Sequence, residues 1–251
     1  MTKIIFDVPK EYYGNRLVIG KLSEWDINDS EEKFKKNLRH PRTRQILEDL
    51  NWIDRKIIYN YNEYGFRCNN FKKQHTPNVM FLGGSTTAAI GLPIESSYTY
   101  KIAKRLGLAH YNLAIAGGSV GSMFRIANFW IPLLKPSIVI GLCPPADRFE
   151  ILDSKGVPKI LLPSFLYDQK RFYREWISNE YNTKLDVEKN KLAIKQLCVQ
   201  NNIKCIMLEE MSDFQWTDFE VVDLARDLEH TGEVSHTNTA EYILKLIEDI
   251  N

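Results

Sequence analysis

A serine at the end of an apolar run is the first residue in this sequence equipped for chemistry. Residues 79–91 read VMFLGGSTTAAIG: Val79 to Leu82 are apolar, two glycines follow, then Ser85, Thr86 and Thr87. A serine hydroxyl is a weak nucleophile until a base takes its proton, and that base is ordinarily an imidazole oriented by a carboxylate. Five histidines are available. His40 lies in the basic stretch LRHPRTR, His75 in a polar loop, and His110 opens a strand as a core or edge residue. His230 differs, because ARDLEHTGEVSH sets it three residues after Asp227. On a turn or short helix that spacing aims both side chains the same way. D-x-x-H is a short pattern that arises by chance. Its place near the C-terminus, after the last strand and before the last helix, singles it out.

Other uses of GGSTT compete with the nucleophile. As a structural turn, its glycines permit positive φ and its hydroxyls satisfy nearby backbone groups. A phosphate loop needs G-x-x-x-x-G-K-[ST], and no lysine follows Gly91. A dinucleotide fingerprint needs G-x-G-x-x-G and an acidic residue closing the next strand, which here ends in Gly117 and Gly118.

The elements that must carry these residues begin near residue 78. VMFLGG, YNLAIAGG, SIVIGLC and IKCIMLEE are short buried-strand candidates. Between them, ESSYTYKIAKRLG carries Tyr98, Ile102 and Leu106 at helical spacing, with Gly107 as its stop. SMFRIANFWIPLLK is a second helix, its end distorted by Pro132. LDVEKNKLAIKQLCVQNN is a third, with Leu185, Leu192, Ile194 and Leu197 on its apolar face, and NTAEYILKLIEDI is a terminal helix. This alternation implies an α/β fold of three layers, α/β/α, around a mostly parallel central sheet. Such sheets bind ligands at the carboxyl ends of their strands, where GGSTT, AGGS and PPADR fall. Residues 1–75 are richer in charge, asparagine and tyrosine. Their one clear helical pattern holds Ile46, Leu47, Leu50 and Ile53, with Asp29 or Ser30 as cap and Pro41 as interruption. Lys33, Lys35 and Lys36 read as a solvated helix face.

Taken together, these blocks resemble the SGNH hydrolases, the GDSL-type esterases. Gly83-Gly84-Ser85-Thr86-Thr87 matches the family's serine turn, with glycine in place of its commonest aspartate. Asn112 to Ser119, NLAIAGGS, matches the second block, and Asp227 to His230 the last, with His236 and Ala240 at the usual following offsets. NEYGFRCNNF, residues 62–71, resembles the N-x-x-G-F-R segment that precedes the serine strand in many relatives. The resemblance covers roughly residues 59–250 and implies an SGNH, flavodoxin-like domain over 59–251, with residues 1–58 an extension packed on it. It implies Ser85 as nucleophile, His230 as base and Asp227 as its orienting acid, with the N–H groups of Ser85 and Gly117 as oxyanion donors. It also sets Gly84, Thr86, Asn112 and Gly118 against the substrate. The implied reaction is hydrolysis of a carboxylic ester, such as an O-acetyl group on a carbohydrate, without metal or cofactor. Acyl transfer through the same acyl-enzyme, and a non-catalytic carbohydrate-binding protein with a decayed site, are the alternatives.

The third block departs from the family. PSIVIGLCPPADRFE aligns Asp147 with the family aspartate, so Ala146 stands where the oxyanion asparagine belongs. Alanine has no side-chain donor, and Pro144 and Pro145 have no N–H. Arg148 is the nearest replacement donor, unless Glu150 or Asp147 holds it; Arg67 and Asn62 are further candidates.

Composition narrows the partners. Lysine plus arginine number 33 against 32 acidic residues, which gives no general attraction to nucleic acid or anionic membrane. Hydrophobic content of 44% and charged content of 26% are those of a soluble globular chain. No segment reads as a secretory signal or membrane span, so the expected location is cytoplasmic. Cys68, Cys143, Cys198 and Cys205 form no C-x-x-C pair and read as free thiols. Residues 151–180 read as an irregular, aromatic-rich insertion or lid, within which SFLYDQKRFYREWISNEY suits a packed helix or flap better than a substrate groove. Trp216 and Phe219 are either pocket wall or core. Oligomeric state has no signature here.

Overall fold

The computed structural model describes residues 6–72, 74–161, 175, 179–209 and 222–249. Its centre is a four-stranded parallel sheet of β3 (Asn78–Gly83), β4 (Ala109–Asn112), β5 (Ile138–Cys143) and β8 (Lys204–Glu209), in the order β4-β3-β5-β8. Two short antiparallel pairs flank it. β1 (Leu22–Ser23) pairs with β2 (Tyr59–Asn60), and β6 (Phe149–Leu152) with β7 (Pro158–Leu161). Six α-helices are described: α1 (Glu31–Arg39), α2 (Pro41–Asp49), α3 (Tyr98–Leu106), α4 (Val120–Leu134), α5 (Glu180–Gln200) and α6 (Glu233–Asp249).

The apolar runs become central strands because both faces of the sheet are covered. Met80, Leu82, Val139, Cys143 and Met207 point to one face, where α4 and α5 pack over them. Val79, Phe81, Ile138, Ile140, Leu142, Ile206 and Leu208 point to the other, against α3 and α6. Each strand thus feeds two cores with alternate residues, and the fold is a three-layer α/β/α sandwich. The chain runs from β3 to β4 on one side and then to β5 on the other side of β3. The strand order therefore reverses at β3, whose carboxyl end delivers Ser85.

Helix ends follow local chemistry. Ser30, not Asp29, caps α1, its hydroxyl accepting the Lys33 N–H at 3.2 Å. Pro41 ends that helix and opens α2 from its first position. Gly107, at φ 67°, stops α3. Pro132 sits within the last turn of α4, which continues to Leu134.

Two expectations need correction. The buried face of α5 is Val187, Asn190, Ile194 and Cys198, while Leu185 and Leu192 face solvent at 62% and 59% exposure. The helix offers two apolar stripes, and the one turned to α4 is the one buried. The expected irregular insertion begins instead with an ordered hairpin. The Asp153 carboxylate accepts the N–H groups of Lys155 and Val157 and so fixes the turn between β6 and β7. Of the aromatic run only Glu175 and Asn179–Tyr181 are described, with Tyr181 exposed; the rest, and Trp216 and Phe219, lie outside the described residues.

The described residues ahead of β3 are bound to the helices and loops around the sheet by specific contacts. Trp130 of α4 lies in an aromatic cluster with Phe6, Tyr64, Phe66 and Phe71, and its indole donates to the Tyr12 carbonyl at 2.8 Å. Trp52 donates to the Leu224 carbonyl at 2.9 Å, and Arg55 pairs with Glu233 at the start of α6. Among the described residues no helix is long and apolar enough to cross a membrane, and the four cysteines are unbridged.

Candidate functional site

The turn after β3 is held from below and behind. Ala88 N–H donates to the Gly84 carbonyl at 3.0 Å and Ile90 N–H to the Ser85 carbonyl at 3.2 Å, which closes the turn on itself. Thr87 is buried, its hydroxyl 2.8 Å from the Tyr98 hydroxyl. Ser85 and Thr86 are half-buried at the lip of the turn.

Asn112 belongs to the scaffold beneath this turn and is withdrawn as a substrate contact. It is 1% exposed, its amide donates to the Thr87 carbonyl at 2.7 Å, and its Oδ1 accepts from Ala114 N–H. Gly118 is buried as well, so it too packs inside. Gly117, one residue earlier, stands differently: its φ is +76° and no atom lies within 4 Å of where a Cβ would be. Its glycine serves the backbone conformation and leaves open space beside it. Ile115 N–H donates to the Gly83 carbonyl at 3.1 Å, which ties this turn to the end of β3.

Arg67 and Asn62 are also structural. Arg67 is 2% exposed and its guanidinium donates to the carbonyls of Ala88, Ala89 and Leu92, behind the serine turn. Asn62 accepts the N–H groups of Tyr64 and Phe66. Neither is placed as an oxyanion donor. Arg148 is nearer: a Cβ on Gly84 would lie 3.1 Å from the Pro144 ring and 3.8 Å from Arg148 Nη1. Glu150, one possible partner, is already engaged by Arg125 at 2.6 and 2.8 Å and by Ser122 at 2.8 Å. Among the described residues Arg148 has no ion-pair partner. Ala146 and Asp147 are exposed.

His230 and Asp227 form a tight pair. The imidazole Nδ1 lies 2.5 Å from Asp227 Oδ2, while Oδ1 accepts the N–H groups of Glu229 and His230 at 3.2 and 3.1 Å. The carboxylate is wholly buried and the ring partly exposed. Burial pushes the Asp227 carboxyl up. The His230 hydrogen bond and charge, with the two backbone N–H groups, outweigh this and hold it below the usual carboxylate range. The carboxylate is therefore ionised at neutral pH and fixes Nδ1 as the protonated nitrogen, leaving Nε2 as the basic one. Of the other histidines, His40 and His75 are exposed, His110 bonds Thr99, and His236 accepts the Tyr98 N–H through Nδ1 at 3.1 Å.

The loop bearing this pair docks on the serine turn at Gly91. Arg226 N–H donates to the Gly91 carbonyl at 3.1 Å, and a Cβ on Gly91 would lie 3.1 Å from Asp227 Oδ1 and 2.7 Å from the Ala225 Cβ. Gly91 sits at φ +78°, so a side chain there is disfavoured by both conformation and space. Behind the contact is a closed ring of four residues. Gly91 N–H donates to the Tyr59 hydroxyl at 2.8 Å, and Tyr59 donates to Asp29 Oδ2 at 2.6 Å. Arg226 Nη2 donates to the same Asp29 oxygen at 2.7 Å, and Arg226 N–H returns to Gly91. Sequence reasoning missed Asp29, Tyr59 and Arg226. It also misread Lys33, whose ammonium lies 3.7 Å from Asp227 and 2.6 Å from Glu229 instead of in free solvent. Their links span 30 to 197 positions along the chain, so no local pattern announces them.

No protein-family model matches the chain, and no curated protein matches it. Solved structures similar to parts of it include these three. One is TesA, at 13% identity and TM-score 0.39, over 69% of this chain and 99% of that one. The second is the acetyl xylan esterase Est2A from the rumen bacterium Butyrivibrio proteoclasticus, at 10% identity and TM-score 0.44, over 72% of this chain and 66% of that one. The third is the acetyl xylan esterase AlAXEase, at 15% identity and TM-score 0.37, over 68% and 99%. Each likeness is distant.

Proposed function

We propose that the protein is a serine hydrolase of carboxylic esters in which Ser85, His230 and Asp227 act as a triad. The observation that carries this reading is the His230–Asp227 pair at 2.5 Å on a loop docked against the serine turn. A buried, ionised carboxylate that leaves one imidazole nitrogen basic is the equipment a hydroxyl nucleophile requires.

In the proposed reaction Ser85 Oγ attacks the ester carbonyl carbon as its proton passes to His230 Nε2. The N–H groups of Ser85 and Gly117 donate to the tetrahedral oxyanion. The C–O bond to the leaving alcohol then breaks, and that alcohol takes the proton from His230. Water repeats the sequence on the acyl-enzyme and releases the acid. Ala146 contributes no side-chain donor. Loss of one such donor costs about 10²–10³ in turnover, and the Arg148 guanidinium, beside Gly84, is the replacement this reading assigns. The site calls for no metal or cofactor. An acetyl group on a carbohydrate is the proposed substrate, by the resemblance to the SGNH hydrolases.

One observation favours a second reading. Ala146 follows two residues that lack N–H groups, which suits a binding protein whose site has decayed. Fluorophosphonate labelling separates the two. The hydrolase reading expects an adduct on Ser85 that is lost in His230→Ala and accompanies turnover of short-chain aryl esters. No adduct and no turnover would leave the binding-protein reading standing.

A further inference from the structure

The carboxylate that orients His230 has a second partner, and it comes from the N-terminal segment. Lys33 Nζ lies 3.7 Å from Asp227 Oδ2, the same oxygen that bonds the imidazole. The ammonium is held from two further directions, by Glu229 at 2.6 Å and by the Asn28 carbonyl at 3.4 Å. Its side chain is only 25% exposed, unlike that of Lys35, which is 59% exposed and pairs with Glu31 on its own helix.

The backbone beneath Lys33 is equally fixed. Ser30 caps α1 through the Lys33 N–H, and Asp29, the preceding residue, is buried in its pair with Arg226. The first turn of α1 and the Asp227 loop are therefore tied to each other. Lys33 is set against the triad carboxylate by structure that a solvated lysine would not have.

We infer that Lys33 is a positioning residue of the site, which holds the Asp227 carboxylate and limits how strongly it favours the protonated imidazole of His230. This rests on the triad reading. A fixed positive charge beside the carboxylate offsets part of the field that Asp227 exerts on the ring. Other charged or titratable groups lie on the neighbouring segments. Glu229 adjoins His230 and faces Lys33, and Arg226 is neutralised by Asp29. From the α6 side come Asp223, which accepts the Val234 and Ser235 N–H groups, and His236, which burial keeps neutral. Of these, Lys33 is the cation that contacts Asp227.

The test is the pH at which the His230 ring takes its proton, followed by NMR of the imidazole and, in parallel, by the acid limb of kcat/KM on an aryl ester. Lys33→Met is expected to move both upward by about half a unit to one unit, and Lys33→Arg to restore them. Glu229→Gln is expected to move them the other way. A merely structural role for Lys33 changes stability or kcat and leaves the midpoint where it was. A Lys33→Met midpoint within about 0.2 unit of the wild type overturns the inference. Should the wild-type protein hydrolyse no ester, the triad reading fails, and the ring titration still decides whether Lys33 acts on His230.

Discussion

At the scale of single residues, the proposed chemistry turns on one oxygen atom. Asp227 Oδ2 bonds His230 Nδ1, while Oδ1 is occupied by two backbone N–H groups. Asp227→Asn keeps an acceptor for those N–H groups, so the loop is expected to stay folded. The amide, however, cannot stabilise an imidazolium and lets the ring adopt the wrong tautomer. Turnover is expected to fall by about 10³–10⁴, with slowed fluorophosphonate labelling of Ser85, while stability at neutral pH falls only by what the depressed Asp227 carboxyl contributes there. Retention of more than a tenth of the wild-type rate contradicts the assigned role. The pairing of Asp227 with His230 was legible in the sequence because the two sit three residues apart in one short block, while Ser85 stands in a block whose residue types suggest the proposed role. Asn112 was misplaced for the opposite reason. It lies in such a block, but its neighbours in space turn its amide inward, onto the Thr87 carbonyl. Block membership does not say which way a side chain points.

At the scale of elements, the N-terminal segment, the serine turn and the His230 loop are one construction. Asp29 ties Arg226 to Tyr59, and both meet at Gly91, so a single carboxylate joins α1, β2, the serine turn and the His230 loop. The Arg226 and Asp29 side chains are 3% and 1% exposed. Removing one partner from such a pair leaves a buried, unmatched charge. Asp29→Ala is therefore expected to cost about 3–5 kcal/mol in urea unfolding. Replacing both partners, as Asp29→Leu with Arg226→Met, is expected to recover most of that stability. It should not recover esterase activity, because the tie to Tyr59 and Gly91 is gone. A loss below about 1 kcal/mol for Asp29→Ala rules the clamp out. The elements of the central sheet were readable from apolar runs alternating with helical spacing, and Gly107 and Pro41 marked boundaries where they occur. The apolar face of α5 was not readable, since Leu185 and Leu192 form a second stripe that only the position of α4 rejects. The clamp was hidden for a related reason: a buried ion pair between distant positions leaves no period in the sequence.

Across the whole molecule, two largely buried histidines outside the proposed triad are expected to set its tolerance of acid. His236 is 2% exposed between α3 and α6, and its Nδ1 accepts the Tyr98 N–H that begins α3. Burial, aided by the Lys101 charge, lowers it to about 3. His110, at the edge of the sheet, is likewise lowered to about 3 by burial and by Arg67, though its residue is partly reachable by solvent, so the larger share falls to His236. In the unfolded chain a histidine titrates near 6.5. Between about pH 6.5 and 3 the unfolded state therefore holds protons that the folded state refuses, and stability falls as pH drops through that window. The slope is up to about 1.4 kcal/mol per pH unit for a fully buried ring. Asp227 adds nothing in the upper part of this window. Its depressed carboxyl contributes stability that is present above the ordinary carboxylate range and is lost only as pH falls through and below that range. Urea midpoints measured from pH 7.5 down to 5 should thus decline before the Asp227 carboxylate titrates. His236→Asn, whose Oδ1 can take over the Tyr98 N–H, should flatten most of that decline while lowering stability at pH 7.5. A wild-type profile that is level from pH 7 to 5, or a decline that His236→Asn leaves intact, means that the ring is not held neutral at the α3–α6 contact.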